Sequence, residues 1–87
     1  MHAVVVRVTL NDIEAATKAL HEQVVPAAKE APGFVAAYWL RKDNTGLSFG
    51  IYESEEAARA AAERVPQMVP DPVTLEDVEV RSVEASA

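Results

Sequence analysis

The chain has no cysteine, which rules out a disulfide framework, a thiolate metal site and a redox-active thiol, and fits a reducing compartment. Histidine is scarce: only His2 and His21 can titrate near neutrality without a perturbed pKa. Glycine is scarcer than in most domains, with three in 87 residues. The sequence holds no G-x-G-x-x-G, G-x-S-x-G or G-K-[ST] motif, so nucleotide-dependent transfer and serine-hydrolase chemistry have no foothold. Positive charge is also in short supply. Eight Lys and Arg stand against 14 Asp and Glu, a net charge of −6, and such a surface repels phosphate backbones; nucleic-acid binding is not expected. No apolar run nears the ~20 residues of a membrane span, and the start of the chain lacks the basic flank and apolar length of a signal peptide. A cytoplasmic protein with no membrane partner is the expectation.

What is present is an ordinary globular composition, 49% apolar and 25% charged. A chain this short supports one core, so residues 1–87 are read as a single domain. His2 to Leu10 alternates Val4, Val6, Val8 and Leu10 with Ala3, Val5, Arg7 and Thr9, the period of a strand whose two faces are both largely apolar. Asn11 or Asp12 can cap the helix that follows, with Glu14 placed to close a capping box from Asn11. The helix is predicted to reach about Glu30, its stripe formed by Ile13, Ala16, Leu20, Val24, Ala27, Ala28 and Ala31. Pro26 lies inside it and predicts a kink or break near Val24 and Val25.

Phe34 to Lys42 reads as a second strand, Asp43 to Gly46 as a turn, and Leu47 to Glu53 as a third strand, together an antiparallel hairpin. Ser54 caps an alanine-rich helix from Glu55 to Val65, ended by Pro66, and Pro70 and Pro72 continue the linker. Val73 to Glu84 is the last strand. Strand-helix-strand therefore occurs twice, and right-handed crossovers then give an α+β, ferredoxin-like β-α-β-β-α-β domain with a four-stranded antiparallel sheet and two helices on one face. The other face stays apolar and uncovered, and the expected remedy is a homodimer with sheets face to face.

Four stretches carry a family likeness: the valine-rich first strand, Val24-Val25-Pro26, Ala31-Pro32-Gly33-Phe34, and Ile51-Tyr52-Glu53-Ser54-Glu55-Glu56-Ala57-Ala58. Over nearly its whole length the chain resembles the antibiotic biosynthesis monooxygenase-like proteins, a family of dimeric α/β-barrels. That resemblance implies a substrate cavity between sheet and helices in each subunit, and cofactor-independent oxidation of phenolic compounds by stabilising a substrate anion. The haem-degrading branch of the same superfamily carries an asparagine on strand one, a tryptophan near the end of strand three and a histidine on helix two. Here the matching stretches hold Arg7 among valines, Tyr52, and no histidine after His21. No haem, metal or other cofactor is expected.

For such chemistry the available side chains are Arg7, His21 and Arg41 to stabilise an anion or move a proton, and Tyr38, Trp39 and Tyr52 to hold an aromatic ring. Alternation puts Trp39 and Arg41 on one face of the second strand and Tyr38 on the other, so they cannot all line one pocket. His21 follows Leu20 at the edge of the helical stripe, where an exposed surface histidine is the plain alternative. The acidic groups Glu53-Glu55-Glu56 and Glu76-Asp77-Glu79 are read as helix N-terminal and strand-surface charges rather than as metal ligands. Two functions stay in view: a cofactor-independent monooxygenase-like protein acting on a small aromatic or quinol-type compound, and a non-catalytic dimeric small-molecule-binding or scaffold module. A pocket lined by Trp39 or Tyr52 with Arg or His favours the first; a sealed, alanine-filled gap favours the second.

Overall fold

The structure is a computed structural model and describes all residues 1–87. Four strands, β1 (His2–Leu10), β2 (Phe34–Lys42), β3 (Thr45–Tyr52) and β4 (Val73–Ser82), form one sheet in the order β2-β3-β1-β4, every neighbouring pair antiparallel. The helical segments are α1 (Ile13–Ala19), a π-helical turn (Leu20–Val24), α2 (Val25–Lys29) and α3 (Glu55–Met68). This is the ferredoxin-like α+β arrangement that the two strand-helix-strand units imply. No helix is long and apolar enough to cross a membrane.

The N-caps follow side-chain chemistry. The Asp12 carboxylate accepts the Ala15 N–H at 3.0 Å and the Ser54 hydroxyl accepts the Ala57 N–H at 3.1 Å. Asp12, not Asn11, is therefore the first cap, and Glu14 stands one residue too early for a capping box. Asn11 instead donates to the Thr74 hydroxyl at 2.9 Å, tying β1 to β4.

Pro26 distorts the first helix, as its chemistry requires, and the form is a π-turn rather than a sharp break. Proline has no N–H for the carbonyl four residues back and its ring crowds that carbonyl. Adding a residue to the preceding turn widens it, and the Val25 N–H reaches back to the Leu20 carbonyl. Pro66, by contrast, does not end α3, which runs on to Met68. It stands in the last turn, where little helix remains for it to disturb, and the chain leaves the helix only at Val69, ahead of Pro70 and Pro72.

The hairpin is tighter than the sequence suggests. Only Asp43 and Asn44 form the turn, and β3 begins at Thr45. Asp43 takes a φ of 54°, a left-handed conformation that Asp tolerates better than most residues. The Thr45 hydroxyl donates to the Lys42 carbonyl at 2.6 Å, and Arg41 donates to the Asp43 carbonyl at 2.8 Å.

Register defines the two faces of the sheet. Paired residues on neighbouring strands point the same way, so Ala37, Gly50, Val4 and Val80 form one row under the helices, and Trp39, Ser48, Val6 and Val78 form the next. On the opposite face the rows are Ala36, Ile51, Ala3 and Arg81; Tyr38, Phe49, Val5 and Glu79; and Leu40, Leu47, Arg7 and Asp77. No helix covers that second face.

The core sits under α3. Val4, Tyr52, Ala58 and Ala61 are buried there, flanked by Val6, Phe34, Val65, Val78 and Val80. It is a thin core, since only seven residues are buried and no large side chain is fully enclosed. The reason lies in the other half of the helical layer: α1 and the π-turn stand away from the sheet instead of packing onto it.

Candidate functional site

Small residues line both walls of the gap between the first helix and the sheet, so no side chains fill it. On β3 the helix-facing positions are Gly46, Ser48 and Gly50, with Ala37 beside them on β2; facing these are Ala16, Ala27, Ala28 and Ala31. Between the two walls lies a mostly apolar cavity of about 500 Å³, within the usual range for a small-molecule site. Leu20 and Val24 close it from the π-turn, and Val65 and Met68 from α3. The stripe expected on the first helix is thus real, except that Ile13 is 39% exposed and outside the lining. The stripe faces an open space rather than a packed core.

Two aromatic side chains from different strands enter this space. Trp39 rises from β2 in the row of Ser48 and Val6. Tyr52, at the end of β3, is 6% exposed and meets Phe34 edge to face, with ring centroids 6.0 Å apart. Its ring leans back over Gly50: a Cβ at that glycine would stand 3.1 Å from the Tyr52 Cε1 and 3.5 Å from its hydroxyl. Gly50 is the floor that lets the phenol lie down. Burial raises the Tyr52 pKa above the usual 10.0 despite the opposing pull of the nearby Arg64 charge. At neutral pH the phenol is a hydrogen-bond donor, and no group of the chain bonds to it.

The six residues proposed from the sequence divide in two. Trp39, Arg41 and Tyr52 line the cavity. Arg7, His21 and Tyr38 do not. Arg7 lies on the uncovered face of the sheet, where it meets Asp77 at 3.5 Å. Tyr38 lies on the same open face, 64% exposed. His21 is on the outer side of the π-turn, exposed, while its neighbours Leu20 and Val24 face inward; it is not poised as a base for anything in the cavity. His2 is also outside, 3.7 Å from Glu55 at the start of α3.

Arg64 was not among the candidates, yet it lines the cavity from α3 beside Tyr52. Its position follows from spacing, since Ala61, Arg64, Val65 and Met68 fall at i, i+3, i+4 and i+7 and share one helical face. The acidic groups behave as structural charges: Asp77 pairs with Arg7, Glu79 with Arg81 at 3.0 Å, and Glu76 accepts from the Thr9 hydroxyl at 2.7 Å. No three His, Asp or Glu side chains converge as a metal site would require.

Neither a protein-family model, nor a curated protein, nor a solved structure matches this chain significantly. The functional reading therefore stands on the cavity and its residues.

Proposed function

We propose that this protein binds a small, largely apolar aromatic molecule in the cavity between its sheet and its first helix. One observation carries the reading. The gap between sheet and helices is neither sealed nor filled by alanines, but open and lined by Trp39, Tyr52 and arginine. A domain of 87 residues has little apolar surface to spare, and leaving Leu20, Val24 and Trp39 only half-buried forfeits stability that better-filled walls would supply. A ligand recovers those contacts. The test is calorimetric titration with 2-naphthol of the wild type and of Ser48→Leu, whose side chain would fill the space beside Trp39. Binding by the wild type that Ser48→Leu abolishes without loss of fold is the expected result. Binding unaffected by Ser48→Leu would sink the proposal.

A second reading, cofactor-independent oxygenation of the bound compound, draws on Arg64 standing near a neutral Tyr52 at the cavity wall. Both groups can stabilise a substrate anion, which in an anthrone is itself electron-rich enough to react with O₂. One oxygen atom would become the new ring carbonyl and the other would leave as water, with the methylene carbon supplying the four electrons. Oxygen uptake with an anthrone panel, compared among wild type, Trp39→Phe, Tyr52→Phe and Arg64→Gln, tests it. His21→Ala is the control expected to match wild type. Turnover no faster than the uncatalysed rate leaves a binding protein without this activity.

We also propose that a second copy of the chain covers the open sheet face. Apolar side chains occupy β2, β3 and the middle of β1 there, and the charges Asp77, Glu79 and Arg81 stand along β4 at one side. The chain exposes 5803 Å², roughly 800 Å² more than expected for a compact monomer of this mass. That excess is of the order that one partner buries in an interface of standard size.

A further inference from the structure

The polar groups of the cavity are unbalanced in a way that describes its ligand. Arginines elsewhere in the chain are matched with carboxylates: Arg7 with Asp77 at 3.5 Å, Arg59 with Glu55 at 3.4 Å, and Arg81 with Glu79 at 3.0 Å. Arg41, at one end of the cavity, donates to the Asp43 carbonyl. Arg64 alone among the arginines has neither an ion pair nor a hydrogen bond. Carboxylates are not scarce, with 14 in the chain, but only Glu30 lines the cavity.

The neutral polar side chains repeat the pattern. Trp39, Ser48 and Tyr52 all line the cavity and none has a hydrogen-bond partner within the chain. The indole N–H can only donate, and a phenol held neutral donates readily. With Arg64 this makes a set of donors along a largely apolar cavity, none of them bonded within the chain.

We propose that the ligand is an organic monoacid, whose flat apolar body lies between Trp39 and the wall of Leu20 and Val24 and whose carboxylate meets Arg64 and the Tyr52 hydroxyl. The proposal rests on the reading of the cavity as a ligand site and adds the chemical class. A guanidinium matches a carboxylate in two parallel hydrogen bonds, which ties orientation to affinity. Glu30 opposes a second negative charge, so a dicarboxylate fits less well. The net charge of −6 works against every anion approaching from solution, and the preference comes from contact at Arg64, not from long-range attraction.

The experiment compares two probes with one ring system, 2-naphthoate and the neutral 2-naphthylmethanol, by calorimetric titration of the full chain. Wild type is expected to bind naphthoate about tenfold more tightly than the alcohol, a difference of about 1.4 kcal/mol. Arg64→Gln should lower the naphthoate affinity about tenfold, to the level of the alcohol's, and Arg64→Lys should keep part of the preference. Arg64 is exposed, so these variants are expected to fold, which an unchanged far-ultraviolet circular dichroism spectrum verifies. Equal binding of both probes by wild type overturns the acid proposal and leaves the cavity reading standing. A preference that survives Arg64→Gln overturns the assignment to Arg64. Binding of neither probe overturns the cavity reading and the proposal with it.

Discussion

Replacing Gly50 by alanine probes the geometry that shapes the cavity. The added Cβ would lie 3.1 Å from Cε1, 3.5 Å from the hydroxyl and 3.7 Å from Cζ of Tyr52. Carbon atoms in ordinary contact sit about 3.5–4.0 Å apart, so the ring must move by roughly half an ångström. It has little room for this, since Phe34 stands at its edge and Val4, Ala58 and Ala61 share its core. Overpacking of this kind costs about 1–3 kcal/mol. Against that, alanine loses less conformational freedom on folding than glycine, a gain of about 0.5–1 kcal/mol in a strand. The balance is a destabilisation of about 1 kcal/mol, which in a domain of this size lowers Tm by about 4–8 °C. Thermal unfolding followed by circular dichroism measures it. The sign should reverse in a Tyr52→Leu background, where no ring overlies the glycine and only alanine's gain remains. A Gly50→Ala variant as stable as wild type, or an unchanged sign in the Tyr52→Leu background, would refute the account of the floor.

Three further outcomes are expected. Asp12→Ala removes a helix cap and should cost about 1 kcal/mol in urea unfolding, whereas Asn11→Ala, which loses a bond to Thr74 instead, should leave the helicity of α1 intact. Because burial raises the Tyr52 pKa in the folded state, the folded chain holds that proton longer than the unfolded chain; the contribution is complete below pH 10 and lost as pH rises through the folded value. Tyr52→Phe should therefore flatten the alkaline fall in stability, measured as urea midpoints across pH 9–12, and an unchanged slope would contradict the burial of the phenol. Lysine at Tyr38 and Leu40 together should convert a sedimenting dimer to monomer without altering the far-ultraviolet spectrum, and a wild type that sediments as a monomer at micromolar concentration would remove the proposed interface.

The strands and their faces were legible because alternation is a local property. Val4, Val6 and Val8 differ in environment from Val5 and Arg7 wherever the strand lies. The same alternation separates Trp39 and Arg41 from Tyr38. It could not say which face the helices would cover, and that is why Arg7 and Tyr38 stood beside Trp39 and Tyr52 as candidates. The π-turn was legible as a disturbance through Pro26, but not as a widened turn, because the backbone has several ways to accommodate a missing donor. Pro66 misled for a related reason: a proline stops a helix only where the residues after it gain nothing by continuing. The cavity was the least legible feature. Alanines on a helix and glycines on a strand announce close approach as readily as open space, and only the position of the first helix decides between them. Arg64 carried a usable signal in its helical spacing, three residues after Ala61 and four before Met68, on the face that borders the cavity.

The central claim is that the space between sheet and helices, and not the open face of the sheet, receives the ligand. The two faces carry different aromatic reporters, Trp39 and Tyr52 in the cavity and Tyr38, which takes no part in its lining, on the open side. Intermolecular nuclear Overhauser effects from 2-naphthoate to these side chains decide the matter in one spectrum. Contacts to the Trp39 indole and the Tyr52 ring, with none to Tyr38, are the predicted result; contacts to Tyr38 without those to Trp39 and Tyr52 would contradict it.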